Sequence, residues 1–369
     1  MAEQYPVIDV RSPGEFLHAH IPGAYNLPLF SDEERKAVGT AYKQESREAA
    51  IKLGLGYFGG KMGEMVEEAE KIIGNWKIAI SKRKKNSIPP NKSTLPTSHC
   101  LLLHCWRGGM RSAGVAWLLD LYGFKVYTLV GGYKVYRKWV LAQFEKEYPF
   151  TIIGGYTGSG KTLLLHQLKK RGQAIIDLEG LANHKGSAFG ALGEKPQPGQ
   201  EMFENLVAEQ LLTTSDKRQN TSDREETVFG KVIWLEDESQ RIGNLQIPMS
   251  LWRTMRKSPV YFLDIPFEER LHYLCEEYGK FEKEKLVNAI IRIQKRLGGL
   301  ETKNAINHLL ENNISGCFRI LLTYYDKWYG KGLFNRENIS TLLNKINCTG
   351  VDTETNTQKL LSCNVLTPS

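Results

Sequence analysis

The sequence predicts an α/β fold of two domains in series with a helical C-terminal part, and three observations carry that expectation. At 369 residues the chain exceeds what one hydrophobic core usually organises. Short apolar, β-branched runs alternate with amphipathic stretches through both halves, the pattern of strands linked by helices. From Glu268 onward amphipathic stretches such as EERLHYLCEEYG and KLVNAIIRIQKRLGG follow one another, so the reading there is mostly helical.

Taken in order, YPVIDVRSPGEF is a buried strand that ends in Asp9 and Arg11 and turns at Ser-Pro-Gly. Helical spacing follows from about Asp32 to Ala50 and again from Lys61 to Ile80. SKRKKNSIPPNKSTLPTSH, rich in Lys, Ser and Pro, has no apolar period and reads as an exposed loop whose charges are solvated. CLLLHC is an apolar strand ending at Cys105, WRGGMRS a glycine-bearing loop, SAGVAWLLDLYG a helix and KVYTLVGG a further strand. The boundary falls in or just after the helix VYRKWVLAQFEKEY, dividing residues 1–147 from 148–369. PFTIIGG then opens the second domain as a strand, YTGSGKTLLLHQLKKRG continues as loop and helix, and QAIIDLEG, KVIWLEDE and YFLDIP supply more strands. TTSDKRQNTSDREETVFG is polar and reads as a surface loop.

Composition narrows the function classes. With 41% hydrophobic and 24% charged residues the chain is of ordinary globular type, which excludes disordered and fibrous proteins. It has no apolar run of membrane-spanning length, and MAEQYPVIDV is not built like a signal peptide, so a cytoplasmic protein without membrane contact is expected. Six scattered cysteines without a CxxC pair indicate neither a disulfide framework nor a zinc site, and leave a reactive cysteine open. The net charge of +8 favours a polyanionic partner.

The most specific motif is the run from Gly155 to Thr162, which fits GxxxxGK[ST] between a strand and a helix. Gly155, Gly158 and Gly160 let the backbone curl so that its N–H groups, with Ser159 and the following helix N-terminus, surround a phosphate. Lys161 adds charge, and Thr162 is of the type that holds magnesium. This is a P-loop, and it specifies a phosphate without specifying a nucleotide. Such sites place an acid at the end of a neighbouring strand; Glu236 and Asp237, followed by Glu238, stand there, with Asp177 as a competitor.

Cys105 is the second signal. At a strand tip and before a helix, its loop can aim N–H groups at the sulfur and lower the thiol pKa, with Arg107 and Arg111 adding positive charge. An exposed thiolate, poised near neutral pH, is the expectation; Cys100, inside the apolar run, fits a structural role. Third, Arg292, Lys295 and Arg296 stand three and four residues apart, on one helical face where they could meet RNA phosphates or be merely solvated. Tyr324, Tyr325 and Trp328 could stack on a base, although core packing is the commoner fate.

DVRSPGEF, HIPGAYNLP and CWRGGMRSAG together resemble a rhodanese-like domain, in which the cysteine carries sulfur or selenium. Fused to GGYTGSGKT, DLEGLANHKGSAFG, WLEDESQRIG and KRLGGL, this domain resembles the tRNA 2-selenouridine synthase family from Val7 to about Tyr329. The resemblance implies a rhodanese-like α/β domain followed by a P-loop NTPase-like α/β domain. It also implies an enzyme acting on tRNA that carries 2-thiouridine at the wobble position. Such enzymes geranylate the sulfur with geranyl diphosphate and exchange the geranylthio group for selenium from selenophosphate. Cys105 then corresponds to the cysteine needed for the selenium step, and Gly155–Thr162 to the family's P-loop. No tightly bound cofactor is implied; magnesium is an option, and a selenophosphate-supplying enzyme is an expected partner. The polar stretches before Cys100 and before Lys231 are longer than the family pattern. An ATP-dependent tRNA sulfurtransferase using a Cys105 persulfide is the alternative enzyme. A phosphate-regulated RNA-binding module is disfavoured because Lys161, Thr162 and Cys105 are intact.

Overall fold

The computed structural model describes residues 5–85, 100–219 and 232–363. The chain divides into two compact units, Met1–Ala142 and Gln143–Ser369. No helix among the described residues is long and apolar enough to cross a membrane.

The first unit runs β1 (Val7–Asp9), α1 (Pro13–His18), β2 (Tyr25–Asn26), α2 (Asp32–Gln44), α3 (Arg47–Gly59), α4 (Met62–Lys85), β3 (Cys100–His104), α5 (Met110–Tyr122), β4 (Lys125–Thr128) and α6 (Gly132–Gln143). Its four strands are all parallel in the order β2-β1-β3-β4, with Asp9 opposite His104. Ile8, Leu101, Leu103, Val115 and Leu119 form the core between sheet and helices. The 32–50 stretch is two helices, not one. Ser46 caps the second by accepting a hydrogen bond from the Ala49 N–H, which stops the first at Gln44. The lysine-rich segment begins as helix, since α4 continues to Lys85; residues 86–99 lie outside the described ones.

The second unit runs β5 (Phe150–Gly155), α7 (Lys161–Lys170), β6 (Ile175–Ile176), α8 (Leu178–Ala182), α9 (Gln200–Gln219), β7 (Ile233–Glu236), β8 (Arg241–Ile242), β9 (Leu245–Gln246), α10 (Met249–Lys257), β10 (Val260–Asp264), α11 (Phe267–Tyr278), α12 (Lys283–Arg292), α13 (Gln294–Leu297), α14 (Gly299–Leu310), α15 (Ile314–Phe334), α16 (Ile339–Leu342), β11 (Leu343–Asn347) and α17 (Thr353–Ser362). Five parallel strands stand in the order β11-β10-β5-β7-β6. Chain order reverses beside β5, and ligands of open α/β sheets bind beyond the strands' carboxyl ends at such a point. Helices α11 to α15 bury Leu271, Leu286, Ile290, Leu309, Phe318 and Leu322 in a separate core.

Three expectations need correction in this unit. β11 is a strand in the region read as helical; it pairs with β10 from Leu343 to Asn347. The polar segment from Thr213 is helical as far as Gln219, and residues 220–231 lie outside the described ones. Arg292, Lys295 and Arg296 do not share one helix. The backbone leaves helical geometry at Ile293 (φ −100°, ψ 3°), so Arg292 ends α12 while the other two belong to α13.

Candidate active sites on two sheets

In the first unit Cys105 directly follows β3, an inner strand of the sheet, and the loop to α5 folds back against the turn after β4. Gly108 adopts φ 67°, and a Cβ there would meet the Leu129 carbonyl at 2.8 Å, so both conformation and space demand glycine. The thiol is buried at 3% exposure, against the expectation of an exposed cysteine, because its residue completes the apolar core under the loop. Burial alone would raise its pKa. The Ser112 hydroxyl, 3.3 Å from Sγ, and the N–H groups of Ser112, Arg107 and Gly109 outweigh burial and hold it below the usual thiol range. The cause differs from the expected one: Arg107 contributes through its backbone N–H, and no guanidinium charge takes part. Arg111 Nη1 instead pairs with Glu15 at 2.8 Å, and Arg107 is exposed. Burial would raise the Glu15 pKa too, but Arg111 and Arg35 hold it down. Cys275 and Cys317 go the other way: burial raises both, Cys317 to about 12.

In the second unit the loop after β5 forms a phosphate cradle at the N-terminus of α7. Gly158 (φ 80°) and Gly160 (φ 69°) make the curl, and a Cβ on Gly158 would meet Leu274 Cγ at 2.9 Å. Lys161 Nζ donates to the Gly155 carbonyl at 3.0 Å across the loop. Ser159 Oγ donates to the Tyr156 carbonyl at 2.7 Å, and Thr162 Oγ1 donates to Glu179 Oε2 at 2.9 Å.

The acids predicted from sequence take different places. Glu236, at the end of β7, is wholly buried, and neither of its oxygens meets a donor at hydrogen-bond geometry. Burial and then repulsion from Glu179 raise its pKa well above the carboxylate range. Asp177 caps α8, accepting from the Gly180 N–H at 2.7 Å, and pairs with His166 at 2.7 Å. Asp237 accepts from the Tyr329 hydroxyl at 2.7 Å and pairs with Arg336, so its charge is engaged within the protein. Glu238, the third acid of that strand end, faces the cradle, and so does Glu179, which the sequence reading missed. Burial raises both, Glu238 also through Glu179.

Arg270 was likewise unforeseen. It is 3% exposed, pairs bidentately with Asp326 at 2.8 and 2.7 Å, and donates to the Thr157 carbonyl at 3.1 Å, which fixes the loop from outside. Tyr329 works from the other flank, accepting from the Gly155 N–H at 3.0 Å.

Among the described residues no group of three or more His, Cys, Asp or Glu side chains is placed to hold a metal by itself. Magnesium keeps several waters and takes one or two protein ligands together with substrate phosphates. The Thr162 hydroxyl with the unbonded Glu236 carboxylate fits that mode, and the ion would neutralise charge on a phosphate ligand.

The cradle opens into a cavity of about 700 Å³, which Arg296, Tyr324, Tyr325 and Trp328 also line. Of the predicted basic trio, Arg296 is the member that reaches it; Arg292 and Lys295 are exposed elsewhere on the surface.

These folds and loops define a P-loop protein that also carries a rhodanese-like cysteine loop. Residues 148–346 match the family model described as the tRNA 2-selenouridine synthase AAA domain, and residues 1–53 match the rhodanese-like domain. Proteins named tRNA 2-selenouridine synthase are similar over most of the chain. That of Bdellovibrio bacteriovorus is 32% identical, covering 92% of both chains. That of Sulfurovum sp. is 34% identical over 88% of this chain and 87% of its own. That of Serratia proteamaculans is 38% identical over 75% of this chain and 65% of its own. The chain belongs to the tRNA 2-selenouridine synthase family.

Proposed function

We propose that this protein modifies tRNA by converting 2-thiouridine at the wobble position into 2-selenouridine in two steps. In the first, the C2 sulfur attacks C1 of geranyl diphosphate; an S–C bond forms, the C–O bond breaks, diphosphate leaves and the N3 proton is lost. In the second, selenium of selenophosphate attacks C2, the geranylthio group departs as the thiol, and water cleaves the Se–P bond to release phosphate. Alkylation comes first because an S-alkyl group leaves C2 more readily than a bare thiocarbonyl sulfur.

One observation carries the reading: an intact phosphate cradle and a cysteine held toward its thiolate occur on one chain, on separate sheets. Lys161, the loop N–H groups and the N-terminus of α7 suit the charge that develops on departing diphosphate. Cys105 belongs to the selenium step. Mass spectrometry of nucleosides tests the division, with geranyl diphosphate, selenophosphate and a persulfide donor supplied separately and together. Cys105→Ala should accumulate geranylated 2-thiouridine and form no 2-selenouridine. Normal selenouridine formation by that variant refutes the assignment, and sulfur delivery from the persulfide donor with ATP would favour a sulfurtransferase.

A further inference from the structure

The cavity at the P-loop has two chemically different ends. Beyond the cradle its lining, which includes Arg256 and Arg296, carries a set of aromatic rings: Trp252 comes from α10, and Tyr324 and Trp328 lie one turn apart on α15 with ring centroids 6.4 Å apart. Trp328 is 47% exposed, so its ring offers apolar surface to a ligand in the cavity.

The polar tips of Trp252, Tyr324, Tyr325 and Tyr329 are engaged within the protein. Trp252 Nε1 donates to the Glu238 carbonyl at 3.4 Å, and the Tyr325 hydroxyl accepts from the Ala188 N–H at 3.2 Å. Tyr324 stands against the Arg296 guanidinium, and the Tyr329 hydroxyl is taken by Gly155 and Asp237. Cations sit over two of the rings, Arg256 5.3 Å from Trp252 and Lys331 5.5 Å from Trp328. A nucleobase entering here would lose water from its edge and find the tips of four of these rings already taken, a penalty that hydrocarbon does not incur.

We infer that Trp252, Tyr324 and Trp328 form a subsite for the apolar chain of an allylic diphosphate, so that the cavity selects its ligand by hydrocarbon length beyond the diphosphate and disfavours nucleotides. This rests on the reading of the cradle as a prenyl diphosphate site, and it adds the residues that set chain specificity.

Calorimetric titration of the full chain with geranyl diphosphate, dimethylallyl diphosphate, inorganic diphosphate and ATP tests it without tRNA. Geranyl diphosphate should bind about tenfold or more tighter than the dimethylallyl and inorganic ligands, and tighter than ATP. In a Tyr324→Ala, Trp328→Ala double variant the preference for the longer chain should disappear, with inorganic diphosphate affinity kept within about twofold; Trp328→Phe should retain most of it. Equal binding of geranyl and inorganic diphosphate by the wild type overturns the inference, as does tighter binding of ATP or a parallel loss of all ligands in the double variant. If the chain preference is present and lost in the variant, yet 2-thiouridine is not geranylated, the subsite stands and the proposed reaction falls.

Discussion

Replacing Ser112 by Ala should lower the thiolate fraction of Cys105 about tenfold near neutral pH. The Ser112 hydroxyl has one proton and two acceptors in reach, Cys105 Sγ at 3.3 Å and the Gly109 carbonyl at 3.1 Å. When the thiol is neutral the proton serves Gly109; when the sulfur ionises it turns to the sulfur. A hydrogen bond to a charged group contributes about 1.5–3 kcal/mol, and the neutral bond given up about 0.5–1.5 kcal/mol. The difference is roughly 1.4 kcal/mol, or a factor of ten. Titration of thiolate absorbance, taken as the difference from a Cys105→Ala variant so that the other cysteines cancel, reads this. The thiolate midpoint should move up, and the selenium step should slow at neutral pH and recover toward alkaline pH. An unchanged midpoint in a folded variant would refute the reasoning and leave the N–H groups of Arg107, Gly109 and Ser112 as the whole cause.

Lys161→Ala should slow geranylation about 10²–10³-fold, the loss typical of removing one electrostatic donor, with an unchanged melting temperature; geranylation at the wild-type rate would remove the P-loop from the mechanism. Glu236 has a raised folded pKa, so its contribution to stability is complete below the ordinary carboxylate range and is lost as pH rises toward the folded value. Denaturant titrations of the ligand-free protein should therefore show stability falling with pH in that window, and Glu236→Gln should flatten the slope; an unaltered slope would show the carboxyl ionised from the start. tRNA affinity should fall with salt, and Arg296→Ala should reduce the slope of log K against log salt by about one if this residue at the cavity meets a phosphate. A slope identical to that of the wild type would place the RNA elsewhere.

Both candidate sites were legible because local sequence builds them. CLLLHC and PFTIIGG are apolar enough to be inner strands, and the glycines that follow report loops the backbone could not otherwise make. What stayed hidden comes from distant segments. Arg270 and Tyr329 hold the P-loop from α11 and α15, more than a hundred residues away, and nothing in EERLHYLCEEYG marks its arginine as different from a surface charge. Glu179 reaches Thr162 because Asp177 caps a one-turn helix after β6, a feature of DLEG that looks like any acidic strand end. β11 escaped because LNKIN is polar; as an edge strand it buries only Ile346, and pairing with β10 supplies what its composition lacks. The break at Ile293 leaves no mark in RIQKRLGG, so helical spacing put three basic residues on a face that does not exist.

An acidic cluster beside a phosphate cradle looks self-defeating, since Glu179, Glu236 and Glu238 stand around the ammonium of Lys161. The pKa directions resolve the conflict. Burial raises all three carboxyls, and repulsion from Glu179 raises Glu236 and Glu238 further, so the ligand-free protein favours their protonated forms more than it would those of exposed carboxylates, and they oppose an incoming phosphate less than their number suggests. Asp237, next in the chain to the buried Glu236, is matched by Arg336 and the Tyr329 hydroxyl. Lys161, the loop N–H groups and the α7 terminus then face an incoming phosphate, and the burial that raises the carboxyls strengthens their field as well. The same shift makes these carboxyls responsive to their surroundings, since positive charge placed beside them would lower their pKa values again.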